Sequence, residues 1–418
     1  MNFFDALYLG AAVPLSPIAA YRTLTDGRFR KSLPERFGRV PPRSGGFWIH
    51  AASVGEVNTV KPLVSELRKR RPALSVAVST VTAGGRDNAI NAFPNDTVGY
   101  APLDLSCCVR AAFARWRPRA LVIVEQEIWP NLILEADVPV FLVNGRMSPR
   151  SFDRYRRFAG LARRVLRRLD RLFVQTADYR DRYLRLGVSP DRIEVTGNLK
   201  FDSTPSIDIE EQRRLHRALL NLASESMVVV GASTHHPEEE LLVDAFQTLA
   251  PKVKDLRLIL APRHLERVRE VIAMAASKGL EALPLSERVP RAIAPITVID
   301  QLGKLAPAFS VATVVFVGGT IYPRGGQNMI EPASMGKPVV VGPSLFNFRD
   351  VADTLREAGG LRIVRNAAEL APALEQMLQS PERLVDMALK ARAVVASGKG
   401  AAGRIAEALL RRTMSQWG

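Results

Sequence analysis

Short apolar runs rich in valine, isoleucine and leucine recur along the chain, separated by stretches whose apolar positions repeat with helical spacing. In the first half they are Phe47 to His50, Ser75 to Val81, Ala120 to Glu125, Val138 to Asn144, Arg171 to Thr176 and Ile193 to Gly197. Their continuous apolar character predicts parallel strands covered on both faces. A polar interval runs from Lys200 to about Arg213. The alternation then restarts with Met227 to Gly231, Leu256 to Ala261, Ile296 to Ile299, Thr313 to Val317 and Pro338 to Val341. The pattern predicts an α/β protein of two doubly wound, Rossmann-like domains facing a central cleft, with sites at the carboxyl ends of the strands. The expected divisions are an apolar and basic segment at 1–40, domains at 41–203 and 204–395, and a C-terminal helix within 396–418 that packs back on the first domain.

Two further segments have their own patterning. Phe3 to Ala20 is apolar apart from Asp5 and the interruptions at Pro14 and Pro17. It is short and broken for a span, which needs about 20 apolar residues, and it runs into Arg22, Arg28, Arg30, Lys31 and Arg36. It reads as a membrane-associating helix in the cytoplasmic leaflet or as an ordinary packed helix. Between Arg146 and Arg171 there are ten arginines and two acids, Asp153 and Asp170. Phe158, Leu161, Ala162, Val165, Leu166 and Leu169 fall at helical spacing there, which predicts one amphipathic helix with a buried stripe and a cationic face. That face is either simply solvated or a dock for anionic lipid.

Composition narrows the class. The 418 residues are 47% hydrophobic and 24% charged, ordinary for a globular protein and unlike a disordered or multi-span membrane chain. With 58 Lys+Arg against 42 Asp+Glu the net charge is +16, so an anionic partner is expected. The two cysteines, Cys107 and Cys108, are neighbours, which fits a reduced compartment and no metal-ligand pattern. Neither a P-loop nor a dinucleotide fingerprint occurs, and there is no D-x-D pair to hold a divalent cation. His235 and His236 read as loop or site residues rather than metal ligands.

Candidate chemistry gathers at strand ends. The first strand leads into His50-Ala-Ala-Ser-Val-Gly-Glu56, and a carboxylate at Glu56 is either a general base or a favourable acid in a first helical turn. Ala120 to Val124 runs into Glu125-Gln126-Glu127-Ile128-Trp129-Pro130-Asn131-Leu132. Alternation would put Glu125 and Glu127 on one face, and buried acids need a cation, for which Lys200 is the candidate. The alternative is a structural salt bridge. In the second half, Ala261-Pro262-Arg263-His264 puts a guanidinium beyond a strand, suited to a phosphate. The run Val317-Gly318-Gly319-Thr320, then Gly325-Gly326-Gln327-Asn328-Met329-Ile330-Glu331, offers backbone N–H groups to a phosphate and Glu331 to ribose hydroxyls.

These motifs, with Tyr21-Arg22, Glu35-Arg36-Phe37-Gly38, Asn144-Gly145-Arg146-Met147-Ser148-Pro149-Arg150-Ser151, Gly197-Asn198-Leu199-Lys200-Phe201-Asp202 and Ser233-Thr234-His235, resemble the 3-deoxy-D-manno-octulosonic acid (Kdo) transferases over nearly the whole chain. The resemblance and the two-domain outline imply the B-type glycosyltransferase fold, which epimerases share. It implies an inverting, metal-independent transfer of Kdo from CMP-Kdo, a donor substrate and not a cofactor, to the lipid A precursor in lipopolysaccharide biosynthesis. The family's base falls on Glu56 and its transition-state groups on Glu125 and Lys200. CMP contacts fall on Pro262 and Arg263, on Leu302, Gly303 and Lys304, and on Asn328, Met329, Ile330 and Glu331. The implied location is the cytoplasmic face of the inner membrane, among anionic lipids and without nucleic acid. Gln126 replaces a frequent threonine, and Lys304 stands where an acid is usual. Another cleft enzyme using a different nucleotide sugar is the nearest alternative; a non-catalytic basic binding protein is a remote one.

Overall fold

A computed structural model describes residues 2–42, 45–204, 207–287 and 294–413. The chain forms two compact units, one of residues 1–203 with 398–418 and one of residues 204–397.

The first unit is built on seven parallel strands: β1 (Phe47–His50), β2 (Val76–Thr80), β3 (Thr97–Tyr100), β4 (Ala120–Val124), β5 (Val140–Gly145), β6 (Arg171–Val174) and β7 (Ile193–Val195). Their order is β3-β2-β1-β4-β5-β6-β7. The connection direction reverses between β1 and β4, which pair in register with His50 opposite Ile123, so the crevice-forming switch point lies at the ends of those two strands. The second unit repeats the plan with β8 (Met227–Thr234), β9 (Leu256–Pro262), β10 (Ala282–Pro284), β11 (Ile296–Val298), β12 (Val314–Val317), β13 (Val339–Val341) and β14 (Leu361–Ile363). Its order, β10-β11-β9-β8-β12-β13-β14, puts the reversal between β8 and β12.

The central strands are fully buried, as continuous apolar runs require. Three strands lack such a run and escape the sequence pattern: β3, β10 and β14. All three lie at sheet edges, where one side lacks a neighbour and residues such as Arg362 face solvent, so their apolar signal is diluted.

The first helix, Phe3–Thr25, continues through Pro14 and Pro17. Its start is tied down: the buried Asp5 carboxylate accepts from Ser106 N and Oγ at 2.8 and 2.6 Å and from Asn131 Nδ2 at 3.1 Å. Further along, Leu7, Leu9, Tyr21 and Leu24 are exposed. Among the described residues no helix is long and apolar enough to cross a membrane.

The basic segment differs from the single helix expected. It is two helices, Pro149–Arg157 and Ala159–Leu166, broken at Phe158, whose backbone leaves the helical region (φ −116°, ψ 43°). Gly160 weakens the second helix start, and Phe158, assigned to the buried stripe, is 64% exposed. Ala162, Val165, Leu166 and Leu169 are buried, while Arg150, Arg154, Arg156, Arg157, Arg163, Arg164 and Arg167 face solvent.

A last helix, Ala401–Thr413, lays Ala402, Ile405, Ala406, Leu409 and Leu410 against Val57, Val60, Leu63, Val64 and Leu67 in the first unit's core.

Candidate active site

In the first unit the helix Val54–Arg70 begins where β1 ends. Ser53 is its N-cap, and Glu56 at the third helical position reaches back to the same end, a variant of the capping box that takes the Ala52 N–H in place of the N-cap's own. Ser53 Oγ accepts from Glu56 N at 3.4 Å, and Glu56 accepts from Ser53 Oγ at 3.1 Å and from Ala52 N at 2.8 Å. Capping leaves Glu56 capacity to accept from a ligand, for a carboxylate has about four lone-pair positions and these bonds use two. Burial, then the charges of Glu127 and Glu125, push its carboxyl up to about 8, against the pull of the Ala52 and Ser53 hydrogen bonds.

Glu125 begins a turn after β4 and has φ +56°. The strand stops at Val124, so the expected alternation does not hold and the two glutamates part company. Glu125 is 5% exposed and meets two cations, Arg146 Nε at 3.0 Å and Lys200 Nζ at 3.4 Å. A Glu in the left-handed region is uncommon and held only by its surroundings. Asn144, at the end of the adjacent β5, also has a positive φ of 53°. Its Nδ2 donates to Glu125 Oε1 at 3.4 Å, and its Oδ1 accepts from Leu199 N at 2.9 Å. Gln175 Nε2 donates to Asn144 O at 2.9 Å and Gln175 Oε1 accepts from Asn198 Nδ2 at 3.0 Å. Asn198 Oδ1 in turn accepts from Lys200 N at 3.0 Å. A buried amide network therefore fixes the turn that carries Lys200. Sequence reasoning missed Arg146, Asn144 and Gln175 as parts of this arrangement, although the first two lie in a quoted motif.

Glu127 has a different setting. It is half-buried, Trp129 Nε1 donates to its Oε2 at 2.8 Å, and His50 Nε2 stands 4.0 Å from the same oxygen. Burial first, then Glu125, raise its carboxyl, while the Trp129 hydrogen bond and Arg146 lower it. His50 itself is fully buried, and burial drives its imidazole down to about 3, so it is neutral.

In the second unit Thr234 ends β8, Pro262 ends β9 and Val317 ends β12. Arg263 and His264 follow β9 and are exposed. Burial first, then Arg324, His264 and Arg263, push the His235 imidazole below its ordinary value, which marks local positive potential. Gln327 Nε2 lies 3.3 Å from His235 Nε2. Leu302 is 87% exposed, and Gly303 (φ +79°) and Lys304 share its open loop. Asn328 is exposed and its Oδ1 accepts from Ile330 N at 3.1 Å. Met329 and Ile330 are buried, so only their main chain is available to a ligand. Glu331 is half-buried, and burial raises its carboxyl.

One expected phosphate cradle is already filled. The buried Glu238 carboxylate accepts from the N–H groups of His235, Gly319, Thr320 and Ile321 at 3.1, 2.7, 2.9 and 3.0 Å. The Gly318-Gly319-Thr320 nest therefore closes on a side chain of the protein, because an internal anion is tethered where a phosphate would have to be recruited. Among the described residues no group of three His, Cys, Asp or Glu could hold a metal ion.

A family model described as 3-deoxy-D-manno-octulosonic-acid transferase (kdotransferase) matches residues 31–203. A 3-deoxy-D-manno-octulosonic acid transferase from Bordetella pertussis is 33% identical, covering 92% of each chain, and one from Haemophilus influenzae is 30% identical, covering 91% of each. The chain belongs to the Kdo transferase family. It is a glycosyltransferase. Solved structures show the same fold at low identity: a glycosyltransferase from Rickettsia africae (TM-score 0.57, 12% identity, 89% of this chain and 99% of that one) and a UDP-GlcNAc 2-epimerase from Neisseria meningitidis bound to UDP-GlcNAc (TM-score 0.53, 15% identity, 88% and 100%). Within the Kdo transferase family, the epimerase alternative left open by the strand pattern has no support beyond shared architecture.

Proposed function

We propose that the protein transfers Kdo from CMP-Kdo to the lipid A precursor, with Glu56 as general base and inversion at the anomeric carbon. The observation that carries this reading is the Glu56 carboxyl, half-buried at the end of β1 and pushed up to about 8 by burial and two neighbouring carboxylates. Such a group is basic enough to take a proton from a sugar hydroxyl. In the step, the acceptor's primary hydroxyl gives its proton to Glu56, its oxygen bonds to the anomeric carbon, and the bond to the CMP phosphate breaks. Family membership supports the donor and acceptor classes.

Lys200, fixed by the amide network and paired with Glu125, neutralises an anionic group of the sugar or phosphate. Arg263, with the main chain around Asn328 and Gly303, holds the departing CMP, and protein cations rather than a dedicated divalent ion balance its charge. The exposed arginines of the helices Pro149–Arg157 and Ala159–Leu166, with the exposed apolar residues of Phe3–Thr25, dock the protein on anionic lipid at the cytoplasmic face of the inner membrane.

The test is a mass-spectrometric assay with CMP-Kdo generated in place and a tetra-acylated precursor, in the presence of a chelator. Product heavier by one or more Kdo units is expected, with turnover reduced about 10²–10⁴-fold in Glu56→Gln. A folded Glu56→Gln protein with undiminished turnover removes Glu56 from this role. Failure to bind CMP removes the donor assignment.

A further inference from the structure

His50 is fully buried under the carboxylate cluster, and its surroundings determine which ring nitrogen carries the hydrogen. Ser79 Oγ accepts the indole N–H of Trp48 at 2.8 Å and lies 2.9 Å from His50 Nδ1. The indole can only donate, and among the described residues the Ser79 hydroxyl hydrogen has no acceptor other than Nδ1, so a Ser79 O–H to Nδ1 bond satisfies both groups. Nδ1 is then the acceptor nitrogen of a neutral ring, and the hydrogen sits on Nε2.

That Nε2 has no hydrogen-bond partner among the described residues. It faces Glu127 Oε2 at 4.0 Å, the same oxygen that takes the Trp129 indole N–H, and the His50 and Trp129 rings pack edge to face with centroids 4.7 Å apart. A buried donor left unmade is costly, so its place 4.0 Å from one carboxylate oxygen calls for a reason. The missing contact requires Glu127 to move by only about 1 Å.

We propose that His50 is a positioning residue for the acceptor-side carboxylates: its Nε2–H and the Trp129 Nε1–H together clamp Glu127 Oε2 and keep Glu127 an anion beside Glu56. The proposal rests on the reading of Glu56 as base. A fixed anion there repels the ionised form of Glu56 and keeps that group proton-hungry. The charged and titratable groups that bear on Glu127 are His50 from β1, Glu56 from the helix Val54–Arg70, Glu125 on its own loop, Arg146 after β5 and Tyr155 from the helix Pro149–Arg157. Of these only Arg146 is a cation, so losing the two N–H donors makes proton uptake by Glu127 easier and weakens its influence.

The experiment compares kcat/KM against pH for the full-length protein and its His50→Phe, Glu127→Gln and doubly substituted forms. Replacing Glu127 should lower the midpoint of the acid limb by on the order of one pH unit, the size of effect a close like charge exerts. His50→Phe should move it in the same direction, and the double variant should move no further than Glu127→Gln alone. An unchanged midpoint in folded His50→Phe, or two shifts that simply add, overturns the clamp. If His50→Phe fails to fold, nitrogen-15 NMR of histidine-labelled wild-type protein decides: an Nε2–H tautomer supports the proposal and Nδ1–H overturns it. This outcome is independent of whether Glu56→Gln retains turnover, so failure of the base assignment and failure of the clamp are read separately.

Discussion

The strand ends of the two units are furnished in opposite ways. In the first unit the charged groups are partnered before any ligand arrives: Glu125 lies between Arg146 and Lys200, Glu56 sits in a variant capping box, and Glu127 holds the Trp129 indole. In the second, Arg263, Leu302, Gly303, Lys304 and Asn328 stand in solvent, while Glu238 is held by four backbone N–H groups. On the proposed mechanism the difference separates two tasks. Groups that stabilise a transition state gain from being fixed in advance in a dry setting. Groups that capture a soluble nucleotide need access first.

The sharpest way to break this contrast is at its exception. Glu238→Ala leaves four backbone donors without their acceptor, at about 1–3 kcal/mol for each that finds no replacement. A large fall in denaturation midpoint is expected, measured by circular dichroism; a midpoint within a degree of wild type would mean that water or a ligand fills the nest. Next in size is Lys200→Met. Glu125 keeps Arg146, so the fold should survive, while turnover should drop on the order of 10²-fold, with Lys200→Arg recovering part of it. Equal loss of turnover and folded protein would make the pair structural only.

A third test uses pH. A base must be unprotonated, so kcat/KM should climb about tenfold per pH unit toward 8 and level off above it. Folding should respond with the opposite sign. Glu56 goes from 4.5 in the unfolded chain to about 8, so the native state holds the extra proton in that window. Its stabilising contribution is present below 4.5 and is lost as pH rises through about 8. Glu56→Gln should abolish this component of the slope in urea titrations at several pH values. The smallest effects belong to the open loops. Arg263→Ala should raise the donor KM about tenfold, as loss of one charge-assisted hydrogen bond would. Lys304→Ala should change KM less than that, and neither should move stability by more than about 0.5 kcal/mol.

Much of the scaffold was legible because the central strands are apolar on both faces, as Leu121, Val122 and Ile123 of β4 illustrate. Of the four edge strands only β7 was, at Ile193 to Gly197; β3, β10 and β14 were not, since half-covered backbone needs no such run. At the site, acids after buried strands could be read as chemically unusual. Their division of labour could not, because it depends on Glu125 turning into the left-handed region and on Arg146 arriving from another strand. The filled nest at Gly319 was invisible for a similar reason: Glu238 looks like an ordinary acid in a first helical turn until its four N–H partners are seen.

The helix Ala401–Thr413 has a consequence for synthesis. It covers the face of the first unit's core formed by Val57, Val60, Leu63 and Val64, yet it emerges about 200 residues after β7, roughly 10–40 s later at ~5–20 residues per second. Asp202 accepts from Gly400 N and Ala402 N at 2.6 and 2.7 Å, pinning the late segment to the early one. The second unit can thus be completed on the ribosome while the first still has an uncovered apolar face, and a fragment cut at residue 203 would carry that exposed face permanently.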